Sequence, residues 1–171
     1  YHLSLTSELV RNFPPFEPGS TGIVVQNYHY LANLAMADLV RVFFLPLIPT
    51  VYQYMPILLV GLLGFSAVTF AEVISAPRLY KYLLLFFIFF SGDVNYALTL
   101  ITTGKLNFSV TGFDSAALLL TGPPRAFSLV IFLGLLSFVV LWLKRKNWLI
   151  GISVALLTAS LVGFKIYTAV A

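Results

Sequence analysis

Positive charge is concentrated between apolar runs at only two places in this chain: Arg78 with Lys81, and the triplet Lys144-Arg145-Lys146. Each group occupies a short connection between long hydrophobic stretches, where lysine and arginine mark the cytoplasmic side of a membrane protein. The two groups are one hairpin apart, so they share a face of the bilayer. The long polar segments 1–49 and 92–125 then fall together on the opposite face, and most of the ionisable groups go with them.

The composition agrees with a chain in lipid. The protein is 60% hydrophobic and 9% charged, against about 25% charged in soluble domains, and its mean hydropathy is +0.96. The apolar runs are too long and continuous for the short alternating strands of a membrane β-barrel. The expected fold is therefore all-α, a polytopic transmembrane helix bundle with amphipathic helices in its outer loops. The net charge of +4 does not indicate a nucleic-acid partner. Five of the ten basic residues lie in the two short loops, and no basic stripe interleaved with aromatics occurs. With no cysteine, disulfides, thiolate catalysis and thiolate metal sites are excluded. Tyr1 is not an initiator and Trp148–Ala171 runs out without a polar tail, so the expectation is a fragment of a longer membrane protein.

Residues 1–49 read as an extracytoplasmic loop with two amphipathic helices, and 50–171 as a transmembrane region with an outer loop at 92–125. Residues 1–12 have helical character, with Glu8 and Arg11 spaced for an i,i+3 pair. Phe13-Pro14-Pro15-Phe16-Glu17-Pro18-Gly19 breaks that helix, and Ser20 to Asn27 reads as loop or a short extended piece. A second helix spans 28–45. Leu31, Ala35, Leu39, Val42 and Phe43 share one side, His29, Asn33, Asp38 and Arg41 spread over the other, and Asp38 and Arg41 are spaced to pair. Spans follow at 50–74, 79–91, 126–143 and 148–171. Pro56 falls near the start of the first, where a missing donor costs least. Leu79 to Phe90 is short for a hydrocarbon core that needs about 20 residues. Gly122-Pro123-Pro124 reads as a stop, and Glu72 is placed to pair with Arg78 or Lys81.

Few residues stand out as chemical. His2, in Tyr1-His2, and His29, in Tyr28-His29-Tyr30, open the two outer helices. A histidine there serves as base or ligand, or as part of an aromatic interfacial belt. Their separation lacks metal-binding spacing. Lys165 lies inside an apolar span, between Phe164 and Ile166. It either snorkels to the headgroups or faces a cavity that receives a lipid-linked phosphate. Asp93 closes the second apolar run in a Gly-Asp-Val-Asn turn. His2, His29, Asp93 and Lys165 are thus the candidate substrate-binding residues. No P-loop, Ser-His-Asp order or dinucleotide fingerprint is present.

The order of these pieces resembles the GT-C-fold membrane glycosyltransferases, which use polyprenyl-phosphate sugars. The resemblance is carried by Tyr1-His2-Leu3 opening a loop helix, Phe13-Pro14-Pro15 with Pro18-Gly19, and Tyr28-His29-Tyr30-Leu31 opening a second helix. The long span from Thr50, Gly122-Pro123-Pro124-Arg125-Ala126 and Gly163-Phe164-Lys165 extend it. It implies transfer of a sugar from a polyprenyl-phosphate-linked donor to an extracytoplasmic acceptor, in a bacterial or archaeal plasma membrane. It also implies membrane lipid as a partner, and an essential carboxylate acting as base or as partner of a divalent metal ion. That acid is expected just before the first loop helix, ahead of Tyr1, and Glu8 stands too far along to take its place. The alternatives are the membrane domain of an alkaline-phosphatase-superfamily phosphoethanolamine or phosphoglycerol transferase, and a non-enzymatic membrane or transport subunit.

Overall fold

The computed structural model describes residues 1–20, 22–26, 28, 30–90, 100–104 and 123–164. Six helices hold most of them. Helix α1 is His2–Arg11, α2 is Leu31–Phe43, α4 is Arg78–Phe90, α5 is Pro123–Arg145 and α6 is Trp148–Phe164. Helix α3 runs continuously over Leu47–Val73. The described residues contain no strand, only an antiparallel bridge between Phe16 and Val24. The expectation of an all-helical chain holds in this coarse form. Two helices are long and apolar enough to cross a membrane, Leu47–Val73 with 27 residues and Pro124–Arg145 with 22. At 1.5 Å per residue both exceed the roughly 30 Å of a hydrocarbon core. Trp148–Phe164 is apolar but shorter.

Helix α3 starts earlier than the sequence suggests and is irregular there. Pro56 lies nine residues in, where its ring would clash with the Tyr52 carbonyl and its nitrogen cannot donate. The chain widens into a π turn over Thr50–Tyr54, and the Met55 N–H reaches back to the Thr50 oxygen. Pro123 and Pro124 form the first turn of α5, so this helix begins three residues before the expected span at 126, while the segment that this stop was read as ending lies outside the described residues. Helix N-termini accept proline because those N–H groups have no partner in any case.

Val51, Met55, Leu59, Leu63, Ala67 and Ala71 form a buried stripe down α3, each four residues from the next. Fourfold spacing keeps one ridge of the helix turned toward its neighbours. Leu63, Ala67 and Leu133 pack with Leu84, Leu85, Ile88 and Phe89, joining α3, α4 and α5. The other face of α3 remains uncovered, with Ile57 72% and Phe65 71% exposed. Ser128 and Ser137 are buried in α5, and each hydroxyl donates to a carbonyl of its own helix, those of Arg125 and Leu133.

The turn after α3 is a Schellman motif. The Ala76 N–H donates to the Ala71 oxygen, the Ser75 N–H donates to the Glu72 oxygen, and Ser75 has φ +58°. Pro77 then prevents the helix from resuming. Between α5 and α6, Lys146 takes φ +51° and the Asn147 side chain caps the Leu149 N–H at 2.9 Å. The Lys144 ammonium donates to the Val73 carbonyl at 2.6 Å. The two basic loops therefore meet at one end of the molecule, as their spacing implies.

Helices α1 and α2 form a cap on the opposite end. Between them, the Glu17 N–H donates to the Ile23 oxygen and the Val25 N–H to the Pro15 oxygen. Glu17-Pro18-Gly19-Ser20 closes that hairpin as a turn, with proline second and Gly19 at φ +90° third. Leu5, Leu9, Val25 and Ala37 make the cap's own core. Met36 leaves it to pack with Val51, Met55, Leu59 and Ala126. A fully buried side chain of this kind contributes about 2 kcal/mol, and Leu3 and Leu39 pack beside Met36 in tying the cap to the helices. At the end of α6, Phe127 and Phe164 stack at 5.1 Å, and a Cβ added at Gly163 would lie 2.8 Å from Leu31 Cδ2.

The face expected of α2 is wrong. Its buried residues are Ala32, Asn33, Met36 and Ala37, while Val42 and Phe43 are exposed. The hydrophobic count along the helix points toward Val42 and Phe43, but α1 packs on the side where small residues permit close approach.

Candidate functional site

The polar centre of the cap is a closed hydrogen-bond network between α1 and α2. Asn33 and Thr6 are fully buried. The Thr6 hydroxyl donates its single proton to the His2 carbonyl at 2.8 Å, so toward Asn33 it can only accept. Asn33 Nδ2 donates to Thr6 Oγ1 at 3.0 Å and to the His2 carbonyl at 3.0 Å. That orientation turns Asn33 Oδ1 toward His2 Nδ1, at 3.4 Å. An amide oxygen only accepts, so the network assigns the ring proton to Nδ1 and leaves the Nε2 lone pair free.

Aromatic rings and one carboxylate enclose this histidine. Tyr1 meets Tyr28 edge-on at 5.0 Å, and the His2 ring lies 6.3 Å from Tyr1 and 6.4 Å from Tyr28. The Tyr1 hydroxyl donates to Glu17 Oε2 at 3.4 Å. Burial lowers the His2 pKa below its ordinary value, against the opposing effect of the Asn33 hydrogen bond. Burial, then the Glu17 charge, raises the pKa of both tyrosines. At neutral pH the group is a neutral imidazole beside neutral phenols, with one anion at its edge.

Among the described residues, two clefts open along α1 and the Pro18-Gly19 turn. The larger, about 640 Å³, lies between α1, the Pro18-Gly19 turn and the start of α3. Ser4, Ser7 and Glu8 give it a polar wall, and Leu3, Leu47 and Ile48 an apolar one. The smaller, about 510 Å³, is lined by Glu8, Phe16, Glu17 and Ser20. Glu8 borders both. Its carboxylate accepts from Asn12 Nδ2 at 3.4 Å; it does not pair with Arg11, because that side chain leaves the helix toward solvent. Arg41 likewise does not pair with Asp38. Its Nε donates to the Val10 carbonyl at 2.8 Å, covering an unsatisfied oxygen at the end of α1. Glu72 does pair as expected, with Lys81 at 3.3 Å.

Of the four substrate-binding candidates, His2 lies in the network. His29, Asp93 and Lys165 lie outside the described residues, as does most of the expected outer loop at 92–125. Among the described residues no three histidine, aspartate or glutamate side chains group to hold a metal ion. Sequence reasoning missed Asn33, placed on the polar face, and the clustering of Ser4, Ser7 and Glu8. The latter was available from spacing, since residues three and four apart share a helix face. Asn33 was not, because only the docking of α1 buries it.

No family model, curated protein or solved structure matches the chain.

Proposed function

We propose that the chain is the multi-pass membrane portion of a transferase that moves a sugar from a polyprenyl-phosphate donor to an extracytoplasmic acceptor. The observation that carries this reading is the cleft between α1 and the start of α3. Its Ser4-Ser7-Glu8 wall suits sugar hydroxyls, while Leu3, Leu47 and Ile48 suit an isoprenoid chain passing down the outside of α3. The donor is amphiphilic in the same sense, and it meets the protein where an apolar helix emerges from lipid. In this reading α3 to α6 are embedded, the basic loops face the cytoplasm, and the cap faces outward in a bacterial or archaeal plasma membrane.

Two groups then have chemical roles. Glu8 accepts hydrogen bonds from sugar hydroxyls on the polar wall of the cleft. His2, with its proton fixed on Nδ1, presents Nε2 as a second acceptor near the cap. His29, Asp93 and Lys165 remain sequence-level candidates for the same substrate, with Lys165 for its phosphate.

The test is selective retention of lipid by the purified chain. Native mass spectrometry in detergent should show undecaprenyl phosphate retained about tenfold over phosphatidylethanolamine, and Ile48→Trp should abolish the difference by filling the apolar wall. Equal retention of the two lipids in the unaltered chain would sink the reading and leave a non-enzymatic membrane subunit in its place.

A further inference from the structure

The end opposite the cap carries a separate surface. The Lys144 hydrogen bond to the Val73 carbonyl, at 2.6 Å, holds the loop after α5 against the loop after α3. Arg78, Lys81, Lys144, Arg145 and Lys146 thereby form one rim, with Glu72 the carboxylate there. Three of these cations are engaged: Lys81 with Glu72 at 3.3 Å, Lys144 with Val73, and Lys146 over the Trp142 ring at 5.9 Å. Arg78 and Arg145 are exposed and have no partner among the described residues. Exposed aromatics adjoin them, Tyr80, Tyr82, Trp142 and Trp148, together with exposed Leu79 and Leu149.

Cations, amphipathic rings and aliphatic side chains exposed side by side match the boundary between headgroup and acyl chain. We propose that the rim is a binding surface for anionic phospholipids, with Arg78 and Arg145 holding the phosphodiester. Guanidinium suits that role, because its planar fork donates two parallel hydrogen bonds to phosphate oxygens. A soluble anion would use the cations but would gain nothing from the exposed rings and leucines. The inference rests on the membrane embedding proposed above and is independent of the transferase chemistry.

The chain has two tryptophans, Trp142 and Trp148, and both lie in this rim. Intrinsic fluorescence therefore reports which lipids gather there. The full chain is reconstituted into vesicles of equal parts phosphatidylglycerol and phosphatidylcholine, with bromine on the acyl chains of one lipid or the other. Brominated phosphatidylglycerol should quench as though enriched about fivefold or more, given the attraction of each basic residue to an anionic surface. In the Arg78→Gln/Arg145→Gln double variant the two quenching curves should coincide. Raising the salt to about 0.5 M should shrink the preference in the unaltered chain, which keeps the test valid if the variant does not fold. Equal quenching by both lipids, or a preference that survives in the folded variant, would overturn the proposal. So would abolition of the preference by millimolar inorganic phosphate, which would reassign the site to a soluble anion. Failure of the chain to float with vesicles would overturn the membrane reading itself, and a chain that floats without lipid preference overturns the rim alone.

Discussion

Asn33 Nδ2 donates to Thr6 Oγ1 at 3.0 Å between two side chains that are both fully buried. A polar pair of this kind joins α1 to α2 more specifically than the surrounding leucines, because a buried donor left unpaired is expensive. The same amide orders His2, so cap stability and histidine tautomer depend on one residue.

Asn33→Ala should therefore loosen the cap while leaving the apolar helices intact. The expected loss is about 2 kcal/mol, read as a lower unfolding midpoint and faster tryptic cleavage after the exposed Arg11. Unchanged cleavage would mean that Met36 and the leucines hold the cap without this network.

Protonation should act on the same joint. Because burial lowers the His2 pKa, the unfolded cap binds the proton more readily than the folded one. The stabilising contribution is complete above the unfolded value of about 6.5 and is lost as pH falls through the lower folded value. Cap unfolding followed by hydrogen exchange should show a loss of protection below about pH 6.5 that His2→Gln removes. An identical pH profile in the two proteins would contradict the assignment.

Pro56 forces the π turn over Thr50–Tyr54. Pro56→Ala restores a donor and removes the clash, so this segment should relax to an ordinary α-helix. Amide protection across residues 50–56 should rise, and Tyr52 and Tyr54 should rotate relative to the cap. A π turn that persists in the variant would place its cause in the packing of Val51 and Met55 instead.

The chain has no cysteine, which makes its orientation simple to map. Gln26→Cys, exposed in the cap, and Arg145→Cys, exposed in the basic rim, should react with a membrane-impermeant maleimide from opposite sides of a cell membrane. Labelling of both from one side would refute the crossing of α3 and α5.

Much of the helix order was legible because apolar run length and proline position are local properties. The basic loops were legible too, since charge in a short connection needs no knowledge of packing. The faces were harder to read. Val42 and Phe43 look like core in a helical projection and are exposed, while Asn33 looks like surface and is buried. Which face α2 buries is decided by how closely α1 approaches Ala32 and Ala37, a tertiary fact that periodicity cannot carry. The Asp38–Arg41 pair failed for a related reason: Arg41 had a better acceptor in the end of α1 than in Asp38. The candidate site was legible in the sequence at His2. The cleft needed the turn at Pro18-Gly19 to be brought against α1.

The most direct test of a lipid-linked substrate is the map of contacts made by an isoprenoid chain. A polyprenyl phosphate carrying a diazirine near its phosphate, photolysed with the reconstituted protein, should label Leu3, Leu47 and Ile48 in preference to Phe65. Excess unlabelled polyprenyl phosphate should suppress that labelling. Labelling spread evenly over the exposed face of α3, Ile57 and Phe65 included, and unaffected by competitor, would contradict the account.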